Sequence, residues 1–387
     1  MRLRLVVTAV ALLAVSVLAV ATLVALREAG SRGAAHTRAR PTPSPEGTSP
    51  AATPSGSGPP VYLYYYLWWT PGHWQSKLGP DYPYTARPPV TPGATNSAGC
   101  NPVPRYSGST IVDVPQVGLY NQNQAQVYLP QIEQAAAAGV TGFLASWQGT
   151  GSPTETTSSS GYNLRLQLLV RAVDTYDAAH PQHPFRLALA MSAFGDYHRP
   201  AGEIIADLSY FYRTYRGNPA FRNSFSSRPM VMIMDSRKYP VTTVAAIWNS
   251  EGGKEYLIGD ETAGSWARDA PYLNATSYYW SSENPWTNSN AATDIQTLGA
   301  EVHSSGKSWF APFIPGYDKQ LVGGSCVPRD GVQTLDKVWS VNSQSHPQGW
   351  FGISWNEFEE NTYFQPSLNY GSTYLRALQQ LIQSQAG

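Results

Sequence analysis

The sequence predicts a single (β/α)8 barrel, a fold of class α/β in which eight parallel strands alternate with helices. Eight short apolar runs alternate with longer segments of helical periodicity, and several of these runs are apolar on both faces. Strands of that kind are typical of a parallel sheet covered by helices. No second linker divides residues 61–387, and a barrel with insertions accounts for that length, since the fold takes roughly 250 residues or more.

The N-terminal segment, residues 1–30, predicts a signal peptide or a transmembrane signal anchor. Residues 5–26 are apolar apart from two threonines and a serine, and Arg2 and Arg4 precede them. At 1.5 Å per residue the run measures roughly 33 Å, enough to cross a bilayer. Ala19 and Ala21 also have the spacing of a signal-peptide cleavage site. Both alternatives export the rest of the chain, so we expect a protein that is secreted or anchored to the cell membrane by one helix.

The composition of residues 31–60 predicts a disordered linker. Residues 61–387 are predicted to form the catalytic domain. The linker is rich in Pro, Ser, Thr, Ala and Gly, and such a segment has too little apolar area to offset its ordering entropy. The predicted strands are residues 61–69, 139–147, 185–194, 229–235, 256–260, 276–280, 309–315 and 350–355. The predicted helices are residues 121–138, 163–179, 202–216, 241–249, 291–305, 331–343 and 370–385, with a further helix expected after the fifth strand.

A doubly wound open sheet is the alternative fold. Such a sheet places a glycine-rich phosphate loop after its first strand, whereas residues 68–74 here read Trp-Trp-Thr-Pro-Gly-His-Trp. Residues 70–115 instead predict a long loop, rich in Pro and Gly, that shapes a cleft. The chain also lacks the motifs of serine hydrolases, P-loop proteins and zincins.

The composition favours a neutral ligand. Lysine plus arginine and aspartate plus glutamate number 26 each, so the net charge is zero, and charged residues are only 13% of the chain. The chain therefore lacks the excess of positive charge with which proteins attract nucleic acid. The 24 Tyr, 12 Trp and 11 Phe suit a flat-faced ligand such as a sugar, although aromatic residues also fill large cores. We expect a glycan or polysaccharide partner, no cofactor and a monomer.

Barrels place their active sites at the carboxyl ends of the strands, where this sequence concentrates acids and aromatics. The eighth strand is followed by Asn356, Glu357, Phe358, Glu359 and Glu360, which pack three carboxylates into four positions. Mutual repulsion and burial raise the pKa of at least one such carboxyl, which is what a general acid needs. A solvated charge cluster is the other explanation. The residues that follow the remaining strands are Trp69, His73, Trp74, Trp147, Gln148, Asp196, Tyr197, Asp235, Ser236, Asp260, Glu261, Trp280, Glu283, Tyr317 and Asp318.

The order of these motifs resembles glycoside hydrolase family 99, the endo-α-mannosidase-like enzymes, and their broader relatives. The resemblance covers residues 62–378 and rests on residues 65–69, Gly139-Val140, Ser146-Trp147, residues 218–221, Pro229, Asp235-Ser236, residues 315–318 and residues 356–360. It implies a (β/α)8 barrel that cleaves α-linked glycans with retention of configuration. It also implies that Glu357 acts as base on the sugar's 2-hydroxyl and that Glu360 is the acid/base on the leaving oxygen.

Further site residues follow from the resemblance and from the strand ends. Asn356 and Tyr317 match family positions that line the sugar site, and Trp69, Trp74 and Trp147 are candidates for stacking on sugar rings. Asp235 and Glu359 are candidates for substrate binding. The family's strand-three glutamate has no counterpart in residues 190–194, and Glu359 and Asn361 replace His and Gly. A carbohydrate-binding barrel without catalysis and a glycan transferase therefore stay open as alternatives.

The two cysteines, Cys100 and Cys326, lie in loops at the same rim of the predicted barrel. In an exported protein a disulfide between them is reasonable and would hold two site-forming loops together. Two cysteines exclude a disulfide scaffold and a four-thiolate zinc site, and the histidines show no metal-ligand spacing.

Overall fold

Eight parallel strands close into a barrel in the part of the chain that the structure, a computed structural model, describes. That part comprises residues 58–80, 82, 100, 108–150, 160–192 and 199–385. The predicted N-terminal segment, nearly all of the predicted linker, most of the loop after the first strand, and Asp196 and Tyr197 lie outside it. The (β/α)8 fold is confirmed, while the domain boundaries at residues 30 and 60 stay predictions.

Each predicted strand corresponds to an observed barrel strand. In chain order the barrel strands are β1 (Val61–Tyr66), β2 (Gly142–Trp147), β3 (Arg186–Met191), β4 (Met230–Ile233), β5 (Tyr256–Asp260), β6 (Ala275–Ser277), β7 (Ser308–Phe313) and β10 (Gly349–Gly352). Each pairs with its neighbours in parallel register, and β1 closes the barrel by pairing with both β2 and β10. Two short strands, β8 (Tyr317–Asp318) and β9 (Cys326–Val327), form an antiparallel hairpin above β7.

Helices cover the outside of the barrel. Within the described residues they are α1 (Pro71–Leu78), α2 (Tyr128–Ala137), α3 (Ser160–Ala179), α4 (Ala201–Tyr215), α5 (Val241–Glu251), α6 (Ala263–Asp269), α7 (Ala291–Ser304), α8 (Gln333–Ser343) and α9 (Thr373–Ser384). The expected helix after the fifth strand is α6. The sequence prediction missed α1, although its start is marked by the Thr70 hydroxyl, which accepts a hydrogen bond from the His73 N–H at 3.3 Å, and by Pro71 in the first turn.

Strand β1 shows why the barrel strands are apolar on both faces. The hydroxyl of Tyr64 points across the interior to the sulfur of Met232, at 2.9 Å. The next residue, Tyr65, points outward and donates to Gln131 of α2, at 3.0 Å. Side chains alternate along a strand, so one face fills the interior and the other packs against the helices.

A smaller apolar cluster sits beside the loop that follows the last barrel strand. It consists of Trp69, Trp74, Leu78, Tyr82, Ile111, Val114, Tyr120, Phe358 and Tyr363. The rings of Trp69 and Trp74 stack with centroids 3.8 Å apart, and both contact Phe358. This cluster joins α1 to the loop that carries the three predicted carboxylates.

The hairpin of β8 and β9 is linked to the loop after β1 by a disulfide. Cys100 and Cys326 are bonded, with their Cα atoms 5.9 Å apart, within the range usual for such a bridge. The two residues are 226 positions apart in the sequence. The bond therefore ties together two distant loops on the side of the barrel where the strands end.

No helix in the described ranges has both the length and the apolar character needed to cross a membrane. The predicted N-terminal signal or anchor is not among those ranges.

The base of the barrel holds a buried pair of acids. Glu251 ends α5 and accepts hydrogen bonds from Ser209, Ser250 and Lys254. Glu255 is also buried, but neither of its carboxyl oxygens has a donor among the described residues. Burial, reinforced by the negative charge of Glu251, raises the pKa of Glu255 from 4.5 to about 8.

Glu255 therefore gives the fold a dependence on pH. Between pH 4.5 and about 8 the unfolded chain has released this proton and the folded chain has not. The contribution of Glu255 to stability is complete below pH 4.5 and falls across that window by roughly 1.4 kcal/mol per pH unit. In urea unfolding at several pH values, Glu255→Gln should remove this slope. The exposed Glu203→Gln should keep it, and parallel slopes in wild type and Glu255→Gln would contradict the assignment.

Candidate active site

The loop after β10 is held at the mouth of the barrel by the first strand. The N–H of Trp355 donates to the carbonyl of Tyr64, at 2.7 Å. The side chain of Asn356 pairs with the main chain of Tyr66 on both sides: its Oδ1 accepts from the Tyr66 N–H at 2.8 Å, and its Nδ2 donates to the Tyr66 carbonyl at 3.0 Å. Asn356 is fully buried. The prediction that it lines the sugar site is therefore wrong for this structure, because its amide joins the two strands at which the barrel closes.

Glu357 is buried directly behind that junction, with 2% of its surface exposed. Its N–H donates to the Ser354 hydroxyl, and its Oε1 accepts from the N–H of Glu359, both at 2.8 Å. Burial raises the pKa of Glu357 well above its ordinary value, and the negative charges of Glu359 and Glu360 raise it further. Its buried surroundings and its two acidic neighbours therefore both favour the protonated form of Glu357.

Glu360 lies on the same loop in more open surroundings, with 20% of its side chain exposed. Its Oε2 accepts from the hydroxyl of Tyr279 at 3.3 Å, and its Oε1 lies 3.4 Å from the ammonium of Lys319. The Tyr279 hydroxyl is also 2.6 Å from the hydroxyl of Tyr66, at the end of β1. A chain of two phenols thus leads from the first strand to this carboxylate.

The sequence prediction missed Tyr66, Tyr279 and Lys319. Tyr66 belongs to the motif at residues 65–69, but Trp69 is the one residue of that motif predicted for the site. Residues 276–280 predict a strand, whereas β6 ends at Ser277 and frees Tyr279 to turn into the mouth. Lys319 follows Asp318 at the end of the hairpin strand β8, and nothing in the sequence predicts that hairpin.

Glu359 turns away from the other two carboxylates toward α1. Its oxygens accept from His73 Nε2 at 2.8 Å and from Lys77 Nζ at 2.6 Å. Burial alone would raise the pKa of Glu359, but the hydrogen bonds and charges of His73 and Lys77 outweigh it and hold the pKa below its ordinary value. Both oxygens bind α1, so Glu359 anchors that helix to the loop; its contact with substrate stays a prediction.

The three tryptophans predicted to stack on sugars expose no ring surface. Trp69, Trp74 and Trp147 are fully buried. Trp69 donates to the carbonyl of Asn356 at 2.7 Å, and Trp147 donates to Asn163 at 2.9 Å. A sugar stacks on an exposed face, so this prediction is wrong for all three residues.

Tyr317 stays a candidate for sugar binding. It lies on β8 at the edge of the site, and burial raises its pKa to about 12, with the charges of Glu360 and Glu357 adding to the effect. Among the aromatic residues predicted for the site, Tyr317 is the one whose pKa is raised by both Glu357 and Glu360.

Asp235 lies in an ion-pair network at the ends of β4 and β5. Its Oδ1 is 2.9 Å from both Arg237 and Lys238, and its N–H donates to buried Asp260 at 2.8 Å. Asp260 also accepts from the N–H of Tyr279, at 2.8 Å. The network thus fixes the segment that carries Tyr279, while a sugar contact by Asp235 stays a prediction.

No group of three or more His, Cys, Asp or Glu side chains in the described residues is arranged to hold a metal ion. The chemistry of the described site is that of carboxyl, phenol and ammonium groups.

No protein-family model matches the chain, and no curated protein matches it. Solved structures do match. The GH99 endo-alpha-mannosidase from Bacteroides thetaiotaomicron aligns with a TM-score of 0.63 and 16% identity in its complex with Bis-Tris propane, over 84% of this chain and 96% of that one. A second structure of the same enzyme gives 0.63 and 17%, over 84% and 97%.

A glycoside hydrolase-like protein aligns with a TM-score of 0.59 and 11% identity, over 87% of this chain and 97% of that one. At such identities the likeness concerns the fold. The similarity of this barrel to those of family 99 and its relatives is therefore confirmed.

The effect of Glu359 on the pKa of Glu357 can be tested by titration. In Glu359→Gln one of the neighbouring charges that raise the pKa of Glu357 is gone, while the main-chain N–H at position 359 still donates to it. The pKa of Glu357 should therefore fall. Carbon-13 NMR titration of glutamate carboxyls measures this, with the Glu357 signal assigned by its loss in Glu357→Gln.

Glu283→Gln, in the segment between β6 and α7, provides the matched control and should leave the Glu357 titration unchanged. A Glu357 signal that titrates at the same pH in wild type and Glu359→Gln would show that the charge of Glu359 does not reach Glu357.

Proposed function

We propose that this chain is an extracellular glycoside hydrolase that cleaves α-linked glycan or polysaccharide with Glu357 and Glu360. One observation carries the proposal. At the mouth of the barrel two carboxyl groups of one loop occupy contrasting environments: Glu357 is buried and its pKa is raised, while Glu360 is part-exposed and paired with Lys319 and Tyr279. Glycosidases need such a pair, because one carboxyl must give a proton to the leaving oxygen while the other acts as base or nucleophile.

The proposed roles follow the resemblance, with Glu360 as acid/base on the leaving oxygen and Glu357 as base on the sugar's 2-hydroxyl. Burial and the charges of Glu359 and Glu360, however, raise the pKa of Glu357 and so favour its protonated form. Base catalysis requires Glu357 to give up a proton, and acid catalysis requires Glu360 to hold one. We therefore propose that the proton passes from Glu357 to Glu360 as the glycan enters and displaces water.

Glu357 then takes the proton of the sugar's 2-hydroxyl, whose oxygen attacks the anomeric carbon while the leaving oxygen departs with the proton of Glu360. Water, deprotonated by Glu360, then opens this intermediate at the same carbon, and the 2-oxygen regains a proton from Glu357. Two displacements at one carbon give a retaining glycosidase.

The substrate is proposed to be a neutral glycan. The chain has no net charge, and the groups around the acids are phenols that can pair with sugar hydroxyls. Tyr279 and Tyr66 form a hydroxyl pair, and Tyr317 offers an aromatic ring beside the same acids. Hydroxyl and aromatic groups together suit the polar rim and apolar faces of a sugar ring.

A carbohydrate-binding barrel without catalysis is the second candidate, and one observation favours it. Strand β3 ends in buried Ala190 and Met191 followed by Ser192, so its described end supplies no carboxylate to the site. A glycan transferase would use the same two acids and differ only in the acceptor.

We also propose that the folded unit lies outside the cell, behind a linker at residues 31–60 and a signal or anchor at residues 1–30. The disulfide between Cys100 and Cys326 supports this location, because such bonds persist in oxidising compartments.

Hydrolysis is tested with the full-length chain and a panel of α-linked glucans, mannans and arabinans, by counting new reducing ends. Glu357→Gln and Glu360→Gln should each lose roughly 10²–10⁴ of the rate, the usual contribution of a positioned acid or base. The exposed Glu203→Gln should retain full activity. The first product should have the anomeric configuration of the substrate, as read by NMR.

Glycosides with an activated leaving group separate the two roles. Such a substrate needs no acid, so it should restore turnover to Glu360→Gln and leave Glu357→Gln inactive; the opposite result would exchange the roles. If wild type releases no reducing ends and all variants are retained equally on a glycan affinity gel, the hydrolase proposal fails and the binding barrel stands.

Export is tested by fusing alkaline phosphatase after residue 60, since that enzyme needs disulfides and is active only outside the reducing cytoplasm. The fusion should be active in intact cells, and deletion of residues 1–30 should silence it. N-terminal sequencing of the recovered protein then separates a cleaved signal from an anchor. An inactive fusion made at normal levels would contradict export.

A further inference from the structure

Trp286 is an exposed aromatic residue that the proposed active site does not use. All twelve tryptophans of the chain lie in the described ranges, and Trp286 is the most exposed of them, at 42%. A single apolar side chain on a surface is ordinary. Trp286 differs from such a residue because its ring is held in one orientation and because it lies on the rim of the barrel mouth.

Hydrogen bonds fix both the ring and the main chain of Trp286. The indole N–H donates to the hydroxyl of Thr334, at 2.8 Å. Thr334 is fully buried, and its hydroxyl donates in turn to the carbonyl of Pro328 at 2.5 Å. The main-chain N–H of Trp286 donates to the side chain of Asn284, at 2.9 Å. Because the ring is already immobilised, a ligand that stacks on it costs little further side-chain entropy.

The exposed part of Trp286 includes a face of its ring. The ammonium of Lys337 lies over the ring, 4.2 Å from its centre, and covers one face. Thr334 occupies the edge that carries the indole N–H. The 42% of the side chain that meets solvent therefore belongs to the opposite face and the far edge. A flat apolar face of this kind suits the C–H face of a sugar ring.

Trp286 lies at the same end of the barrel as the two proposed catalytic acids. It belongs to the connection from the carboxyl end of β6 to the start of α7. Its hydrogen-bond partner Thr334 is the second residue of α8. In a (β/α)8 barrel the strands end and the following helices begin at the face that carries the active site. Trp286 is therefore part of the rim around the mouth.

The hairpin of β8 and β9 connects Trp286 to Glu360. Pro328, which accepts from Thr334, directly follows β9. Strand β9 pairs with β8, where the N–H of Asp318 donates to the carbonyl of Glu360 at 2.8 Å. Paired strands lie roughly 5 Å apart, so the support of Trp286 is one strand pair away from Glu360. Tyr317, the remaining candidate for stacking on a sugar, lies on this same hairpin.

We propose that Trp286 is an outer platform that stacks on a neutral sugar unit of a long glycan, away from the bond that Glu357 and Glu360 cleave. The choice of a glycan rests on the proposed function. The charged groups beside the platform do not call for a charged ligand, because Lys337 lies over the ring and Glu283 accepts from Asn288 at 2.7 Å. A glycan that passes from the mouth over the hairpin reaches Trp286, so the enzyme should prefer polymers to short glycosides.

Affinity electrophoresis measures the platform directly. The full-length chain with Glu357→Gln and Glu360→Gln, the parent, is run through gels that contain a soluble α-glucan, α-mannan or arabinan. With the polymer that retards the parent most, Trp286→Ala should raise the dissociation constant roughly threefold to tenfold. Trp286→Phe keeps a ring and should raise the dissociation constant less.

Leu164→Ala is the matched control. Leu164 is 43% exposed and lies on α3, which follows β2, the strand opposite β6 in the barrel. This variant removes a similarly exposed apolar side chain from the far side of the mouth, so it should be retarded as the parent is.

Kinetics of the chain with both acids intact separate an outer platform from a disturbed mouth. Trp286→Ala should lower kcat/KM for the polymer roughly threefold to tenfold, mainly through KM. The loss should be smaller for a one-unit glycoside with an activated leaving group, because that substrate is too short to reach the platform. Equal losses on both substrates would place the effect of Trp286 at the mouth and overturn the proposal.

Three further results would contradict the platform. They are a parent that no polymer retards, a Trp286→Ala variant retarded as strongly as the parent, and a wild-type dimer that Trp286→Ala dissociates in sedimentation. The dimer would mean that the ring binds a second copy of the chain. If wild type cleaves glycans but Trp286→Ala is retarded like the parent, the platform fails alone. If no glycan is cleaved but Trp286→Ala loses retardation, the hydrolase proposal fails and the platform stands.

Discussion

The site depends on the pairing between the side chain of Asn356 and the main chain of Tyr66. A barrel must close between its first and last strands, and the regular pairing of β1 with β10 ends at Leu63 and Gly352. Beyond that point the side chain of Asn356 makes the hydrogen bonds that a neighbouring strand would make. Its amide presents one acceptor and one donor to the peptide groups of Tyr66. The contact that closes the barrel therefore also determines where Glu357 lies.

That constraint explains how three carboxylates in four positions can coexist. Like charges so close would repel if all were ionised in one environment. The loop separates them: Glu357 is turned inward, where burial raises its pKa, Glu359 pairs with His73 and Lys77, and Glu360 faces Lys319 and a phenol. Helix α1 therefore helps to form the site, although it has no role in the proposed reaction. By binding Glu359 it leaves the proposed reaction to the other two acids.

The sequence predicts the parts of this arrangement that follow from periodicity. Buried parallel strands show as apolar runs, so all eight were located, and the carboxylates after the eighth strand were found by position alone. Helix α1 was missed because it is a short helix inside a stretch rich in Pro and Gly. Tyr279 and Lys319 were missed because their approach to Glu360 depends on where β6 ends and on a two-residue hairpin, which are tertiary features without a local pattern. The burial of Glu357 follows from the Asn356 junction, which links residues 290 positions apart.

The burial of the tryptophans shows how little the aromatic content by itself says about the ligand. Few charges and many aromatic residues are compatible with sugar binding and with a large aromatic core. Trp69, Trp74 and Trp147 belong to the packing around the barrel, where they hold α1, the carbonyl of Asn356 and α3. Composition therefore gives weaker support for a carbohydrate ligand than the aromatic count suggests. The functional inference rests instead on contrast between neighbours, since two glutamates three positions apart differ in burial and in the groups that face them. Packing alone does not require that contrast, whereas proton transfer does.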